Sequence, residues 1–264
     1  MAQIDAGGHL IAYERRGEGP PLFLLHGYVG DRRTWLPQIE DLSDEFTVVA
    51  WDAPGYGGSS DPAEAFRLPD FADCLAAFID ALGLGRPHVV GLSFGGGLAL
   101  ELYRRHPAIP MTLVLASAYA GWAGSLPAEI VEQRLQQALR LADLPPDQLV
   151  DELIPSLFTE SAPADLVDEF AASMREFHPA GLRANSRAFA EADLRDVLPL
   201  ITVPTLLLYG DKDVRAPLSV AQDLHAKIPE SRLVVIEGAG HLCNLEAPER
   251  FNTEVRAFLR SAQI

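Results

Sequence analysis

The chain has 264 residues, of which 48% are hydrophobic and 22% charged. That is enough apolar material for a sizeable core, and it excludes a disordered, a collagen-like or a disulfide-stapled chain. Lysine and arginine number 21 against 37 aspartates and glutamates, a formal charge of −16; such a surface repels phosphate backbones and anionic lipid, so no nucleic-acid and no membrane partner is expected.

Met1–Ile4 and His9–Arg15 flank Gly7-Gly8 and read as a hairpin. Apolar runs follow at Pro21–His26, Phe46–Asp52, His88–Leu92, Met111–Ala116, Thr205–Tyr209 and Arg232–Glu237. They are continuous rather than alternating, which suits strands buried on both faces of a parallel sheet. Helical spacing marks Phe71–Leu82, Phe94–Arg105, Ala216–Ile228 and Pro248–Leu259. Strands alternating with helices give an α/β fold with a mostly parallel, eight-stranded sheet. From about residue 121 to 195 no strand is evident. Helical stretches there are cut by Pro127, Pro145-Pro146, Pro155, Pro163 and Pro179. This is too long for a loop, so residues 121–195 read as a helical cap inserted into a core of 1–120 and 196–264.

Cys74 and Cys243 are too few for a disulfide framework and lie in no metal-binding spacing. The N-terminus has no basic and apolar leader pattern, and no run reaches the roughly 18 apolar residues that cross a bilayer. A cytoplasmic protein, monomer or homodimer, is expected.

The segment carrying chemistry is His88-Val89-Val90-Gly91-Leu92-Ser93-Phe94-Gly95. A buried strand runs directly into Gly-x-Ser-x-Gly and then a helix, the nucleophile-elbow pattern. The turn strains the serine backbone, and Gly91 and Gly95 let it close. A serine hydroxyl needs a base. Among seven histidines, His241 follows the last predicted strand on a glycine-rich loop, at the sheet end where Ser93 lies. The base needs an orienting carboxylate. Asp211 and Asp213 both follow Thr205–Tyr209; Asp211 sits directly after Gly210 and suits the turn, so Asp213 is preferred. Two amides, of Phe94 after the nucleophile and of Tyr28 after an early strand, suit an oxyanion hole. His26 suits a structural role beneath it.

Taken together, HGYVGD at 26–31, DAPGYGGS at 52–59, GLSFGG at 91–96, YGDKDVRAP at 209–217 and GHLCNLEAPERF at 240–251 resemble, in this order, the motifs of α/β-hydrolase-fold serine hydrolases. The resemblance implies the α/β-hydrolase fold and favours Asp213 as the acid. HLCNLE and Ala190–Ile201 are similar to 3-oxoadipate enol-lactonase-like members. The expected activity is hydrolysis of a small carboxylic ester or lactone through an acyl-enzyme on Ser93, His241 and Asp213. The same triad also serves carbon–carbon bond hydrolases, perhydrolases and haloperoxidases, and low-turnover receptors. No cofactor and no metal are implied. Trp122, Leu126, Phe158, Met174, Phe177 and Leu242 are candidates for the substrate pocket, with packing inside the cap as the alternative for each. Phe94 is a further neighbour, Trp35 could approach the oxyanion loop or pack beneath it, and Cys243, beside the base, could reach the site or simply pack. Arg215 lies close to the predicted acid, and a positive group in the pocket would favour an acidic lactone.

Overall fold

The computed structural model describes residues 1–262. One eight-stranded sheet runs through it, in the order β1-β2-β4-β3-β5-β6-β7-β8. The strands are β1 (Ala2–Ala6), β2 (His9–Arg16), β3 (Pro21–Leu25), β4 (Thr47–Trp51), β5 (His88–Leu92), β6 (Thr112–Ala116), β7 (Thr205–Gly210) and β8 (Arg232–Ile236). β2 pairs antiparallel with β1 and β4, and every other pairing is parallel. β3 to β7 are buried on almost every residue, as their continuous apolar runs require. β8 departs from that expectation. As the edge strand it leaves Val235 41% exposed and Arg232 in solvent, because no strand lies beyond it.

The helices are α1 (Leu36–Leu42), α2 (Leu68–Leu82), α3 (Phe94–Arg105), α4 (Ala128–Leu141), α5 (Pro146–Leu157), α6 (Ala164–Met174), α7 (Pro179–Glu191), α8 (Leu218–Lys227), α9 (Cys243–Glu246) and α10 (Pro248–Ser261). Between β6 and β7 most of the prolines start helices rather than interrupting them; Pro155 alone of those named lies inside one, α5. Pro127, Pro145 and Pro163 cap α4, α5 and α6, and Pro179 opens α7, where a missing N–H costs nothing. α4 packs on α7 and α5 on α6. The chain enters and leaves this interval at one point: Leu194 N donates to Ala120 O at 3.0 Å, and Gly124 N to Ala192 O at 3.2 Å.

The turn after β4 braces the carboxyl end of the sheet. Asp52 is fully buried and accepts from the Arg32 and Gly58 amides, both at 2.8 Å, and from Arg32 Nη1 at 2.5 Å. Ser59 Oγ donates to Asp52 O at 2.6 Å and accepts from Ala12 N at 2.9 Å. His26 donates from Nδ1 to Gly27 O at 2.8 Å and accepts on Nε2 from Ala53 N at 3.0 Å. These two bonds fix one neutral tautomer, and burial holds its pKa below the ordinary histidine value.

His88, at the start of β5, is buried beside Phe46, with Thr112 Oγ1 2.9 Å from its Nδ1. Burial lowers its pKa from 6.5 to about 4. Between those values the unfolded chain binds a proton that the folded chain refuses, so stability falls as pH falls through that window. Urea unfolding at pH 7 and pH 5 should show a smaller loss in His88→Gln than in the wild type. Equal losses would remove His88 as a source of acid lability.

Candidate active site

From β3 the chain moves outward to β4, then crosses back to β5 on the other side of β3. Connections therefore diverge above the carboxyl ends of β3 and β5, where open α/β sheets form their crevice. Gly27 and Tyr28 come from one side of that crevice and Ser93 from the other.

Ser93 joins β5 to α3 with φ 53° and ψ −111°, a conformation that L residues avoid. The contacts around it explain the flanking glycines. A Cβ on Gly91 would lie 2.2 Å from Gly95 O, and one on Gly95 would lie 2.2 Å from Leu25 O. Ser93 N donates to Ala116 O at 2.8 Å, which ties the turn to β6. Phe94 begins α3, so its amide has no acceptor within the helix and joins the positive end of the helix dipole. Its ring points elsewhere, edge-on to Phe71 and Phe189 in the core.

Asp213 follows β7 and His241 follows β8. His241 Nδ1 lies 3.0 Å from Asp213 Oδ1 and 2.9 Å from Oδ2, and both side chains are buried. Asp213 Oδ1 also accepts from the Arg215 and Ala216 amides at 2.8 Å each. Burial pushes this carboxyl up, but the His241 charge and hydrogen bond and the Ala216 amide outweigh it and hold the group below the usual carboxylate range. An ionised Asp213 accepts the hydrogen bond of a protonated Nδ1 and so leaves Nε2 as the basic nitrogen. Asp211 does not take part: it accepts from Gly238 N at 2.6 Å and pairs with Lys212.

A small cavity of about 20 Å3 is lined by Gly27, Tyr28, Ser93, His241, Leu242 and Arg215, and is roofed by Leu153, Leu157 and Phe170 from α5 and α6. It has room for about one water molecule. An outer groove of about 230 Å3 shares Tyr28, Leu153 and Arg215 with it, and adds Trp122, Arg134 and Ser156. Burial pushes the Tyr28 hydroxyl up to about 12, and Ser186 Oγ lies 2.9 Å from it. Ser93 Oγ makes no hydrogen bond to His241 among the described residues, a contact that in such sites often tightens only around substrate.

Sequence spacing placed the pocket wall only in part. Leu242 lines the cavity and Trp122 the outer groove. Leu126, Phe158, Met174 and Phe177 line neither; they pack within the helical interval and against the core, with Phe158 edge-on to Phe170. Trp35 is fully buried against Phe251, and Cys243 is fully buried as well. Apolar periodicity marks a buried face without saying which surface it is buried against. Leu153, Leu157 and Phe170 were missed for the same reason. So was Glu246, which accepts from Gly240 N at 2.9 Å and Thr159 N at 3.0 Å and thereby ties the His241 loop to the end of α5. No group of three or more His, Cys, Asp and Glu side chains arranged to hold a metal occurs among the described residues. None of the described helices is long and apolar enough to cross a membrane.

Residues 20–248 match the family described as the alpha/beta hydrolase fold. The chain is 32% identical, over 98% of its length and 69% of the other's, to the dihydrolipoyllysine-residue acetyltransferase component of the acetoin cleaving system of Pseudomonas putida. Its structure is similar to a thermophilic esterase from Thermogutta terrifontis, with a TM-score of 0.92 and 32% identity over 100% of this chain and 99% of that one. It is also similar to the enol-lactonase of Burkholderia xenovorans LB400, with a TM-score of 0.89 and 26% identity over 98% and 100% of the two chains.

Gly95→Ala should destabilise the protein, because the added methyl meets the backbone carbonyls of Leu25 and His26, which cannot rotate away as a side chain can. Overpacking of this kind costs about 1–3 kcal/mol. A denaturant midpoint within error of the wild type would show that the turn is not close-packed.

Proposed function

The chain belongs to the alpha/beta hydrolase fold family, and on that footing we propose that it is a serine hydrolase of small carboxylic esters or lactones. Ser93 is the nucleophile, His241 the base and Asp213 the orienting acid. The observation that carries this reading is the buried Asp213–His241 pair, which opens into one cavity with Ser93 on a strained strand-to-helix turn.

In the proposed reaction Ser93 Oγ attacks the carbonyl carbon while His241 Nε2 takes the hydroxyl proton. The carbonyl oxygen becomes an oxyanion. The amides of Tyr28 and Phe94 receive it, and losing one such donor usually costs about 3–4 kcal/mol. His241 returns the proton to the departing alkoxide, leaving an acyl-enzyme. Water attacks that acyl group as His241 takes its proton, and His241 then passes the proton to the departing Ser93 Oγ as the acid is released. From a lactone, the alkoxide stays attached to the acyl chain. The imidazole must be neutral at the start of each half-reaction.

The helical interval 121–195 is proposed as a cap on a core of 1–120 and 196–264. Its single point of entry and exit supports that division, as does the contribution of Leu153, Leu157 and Phe170 to the cavity roof. The cavity volume of about 20 Å3 is far below the roughly 300–1,000 Å3 of ligand pockets in general. Substrate entry therefore requires these roof side chains to shift.

Wild type should hydrolyse at least the shortest of p-nitrophenyl acetate, butyrate and octanoate, and Ser93→Ala should be inactive on all three. Asp213→Asn should lose about 10^4-fold in kcat, because its amide stabilises the wrong histidine tautomer. Equal activity of wild type and Ser93→Ala would exclude Ser93 as the nucleophile. A folded wild type that binds but does not turn over esters would point to the receptor alternative. One that cleaves only ring-cleavage dienones would point to carbon–carbon hydrolysis.

A further inference from the structure

The chain is strongly acidic, and nearly all its basic side chains are paired. Arg134 and Arg215 are exceptions: neither forms an ion pair with a carboxylate among the described residues. Arg15 and Arg86 are also unpaired there, but both lie exposed in solvent. Arg134 and Arg215 are partly buried and adjacent; both line the outer groove, and Arg215 also lines the proposed catalytic cavity.

Their surroundings satisfy them only in part. Arg215 Nη1 donates to Ser156 Oγ at 3.0 Å. Arg134 Nη1 donates to the Tyr119 hydroxyl at 3.0 Å and Nη2 to Arg215 O at 3.2 Å, and its guanidinium lies over the Tyr119 ring. A guanidinium carries five N–H donors, and Arg215 spends one on a side-chain acceptor among the described residues. Burial lowers the Arg215 pKa and the neighbouring Arg134 charge lowers it further. The carboxylate whose charge reaches Arg215 is Asp213, and it is committed to His241. Glu152, across the groove, pairs with Arg140. Two like charges held together with spare donors and no counter-ion suit an incoming anion.

We propose that Arg215, supported by Arg134, binds a carboxylate on the acyl half of the substrate, so that the chain prefers half-esters or lactones of dicarboxylic acids to neutral esters of equal length. Arg215 lines both the inner cavity and the outer groove. An acyl chain attached to Ser93 can therefore place its far end against the guanidinium without crossing bulk solvent. A charge on the acyl half remains anchored through acylation and deacylation, whereas a charge on the alcohol leaves with the first product. This inference deepens the serine-hydrolase reading and rests on it.

The test compares kcat/KM for the monomethyl and dimethyl esters of succinate, glutarate and adipate. Wild type should prefer the monomethyl ester for at least one acid. Arg215→Gln should reduce that preference by about 10- to 100-fold, the range expected for a lost charged hydrogen bond, and the change should appear in KM. Arg215→Lys should retain part of the preference, and Arg134→Gln should lose less of it than Arg215→Gln. The monomethyl-to-dimethyl ratio cancels any general damage to the neighbouring Asp213. A wild type that favours the dimethyl ester throughout, or an Arg215→Gln variant with an unchanged ratio, overturns the proposal. Calorimetric binding of free glutarate and adipate to Ser93→Ala, with and without Arg215→Gln, separates this site from the catalytic reading. Dicarboxylate binding that requires Arg215 supports the anion site even if no ester is turned over. Turnover of p-nitrophenyl acetate with no ester preference and no dicarboxylate binding overturns the anion site and leaves the hydrolase reading standing.

Discussion

Where β5 turns into α3, two segments of backbone approach so closely that no side chain fits between them. Gly91 faces the carbonyl of Gly95, and Gly95 faces the carbonyls of Leu25 and His26. That contact lets α3 start one residue beyond the strand and holds Ser93 at positive φ. It also packs the turn after β5 against the end of β3, the two strands between which the chain reverses direction across the sheet. The crevice, the position of the Ser93 hydroxyl and the neighbouring amides all follow from this one close approach. Strain at Ser93, of the order of 1–3 kcal/mol, is tolerated because the flanking strands are buried and paired on both sides.

Around this turn, three buried polar side chains are held by backbone groups. Asp52, His26 and Asp213 each accept or donate to main-chain groups of the loops that carry them. Such bonds fix loop geometry more firmly than surface ion pairs, whose net worth is about 0–1 kcal/mol. Glu246 extends the same principle to the helical interval, and Arg33 adds a surface ion pair to it. Glu246 joins the His241 loop to Thr159, and Arg33 joins Asp31 to Glu176. The roof over the cavity is thus tied to the two loops that it covers, and any opening must break or stretch those contacts.

Much of this organisation was legible in the sequence because it is local. Gly-x-Ser-x-Gly at a strand–helix junction encodes its own geometry, and the strand runs match the sheet to within a residue or two at most ends. The order of Ser93, Asp213 and His241 along the chain follows from which strands carry them. Less was legible where the answer lies in long-range packing. Arg134 touches Arg215 across 81 positions, and Glu246 meets Thr159 across 87; no periodicity signals either. Phe158, Met174 and Phe177 have the same apolar character as Phe170, yet only Phe170 reaches the cavity. Amphipathic spacing finds the buried side of a helix, and tertiary packing then decides whether that side meets a neighbour or a substrate.

The central claim is that Ser93 is a nucleophile activated by His241. Methylsulfonyl fluoride is small enough to probe this with little demand on the cavity, and it sulfonylates activated serines. Peptide mapping of the wild type by mass spectrometry should find one adduct, on Ser93. The adduct should be absent in Ser93→Ala and form far more slowly in His241→Ala. An adduct on another residue, or an unmodified Ser93 in a protein that still hydrolyses p-nitrophenyl acetate, would contradict the account.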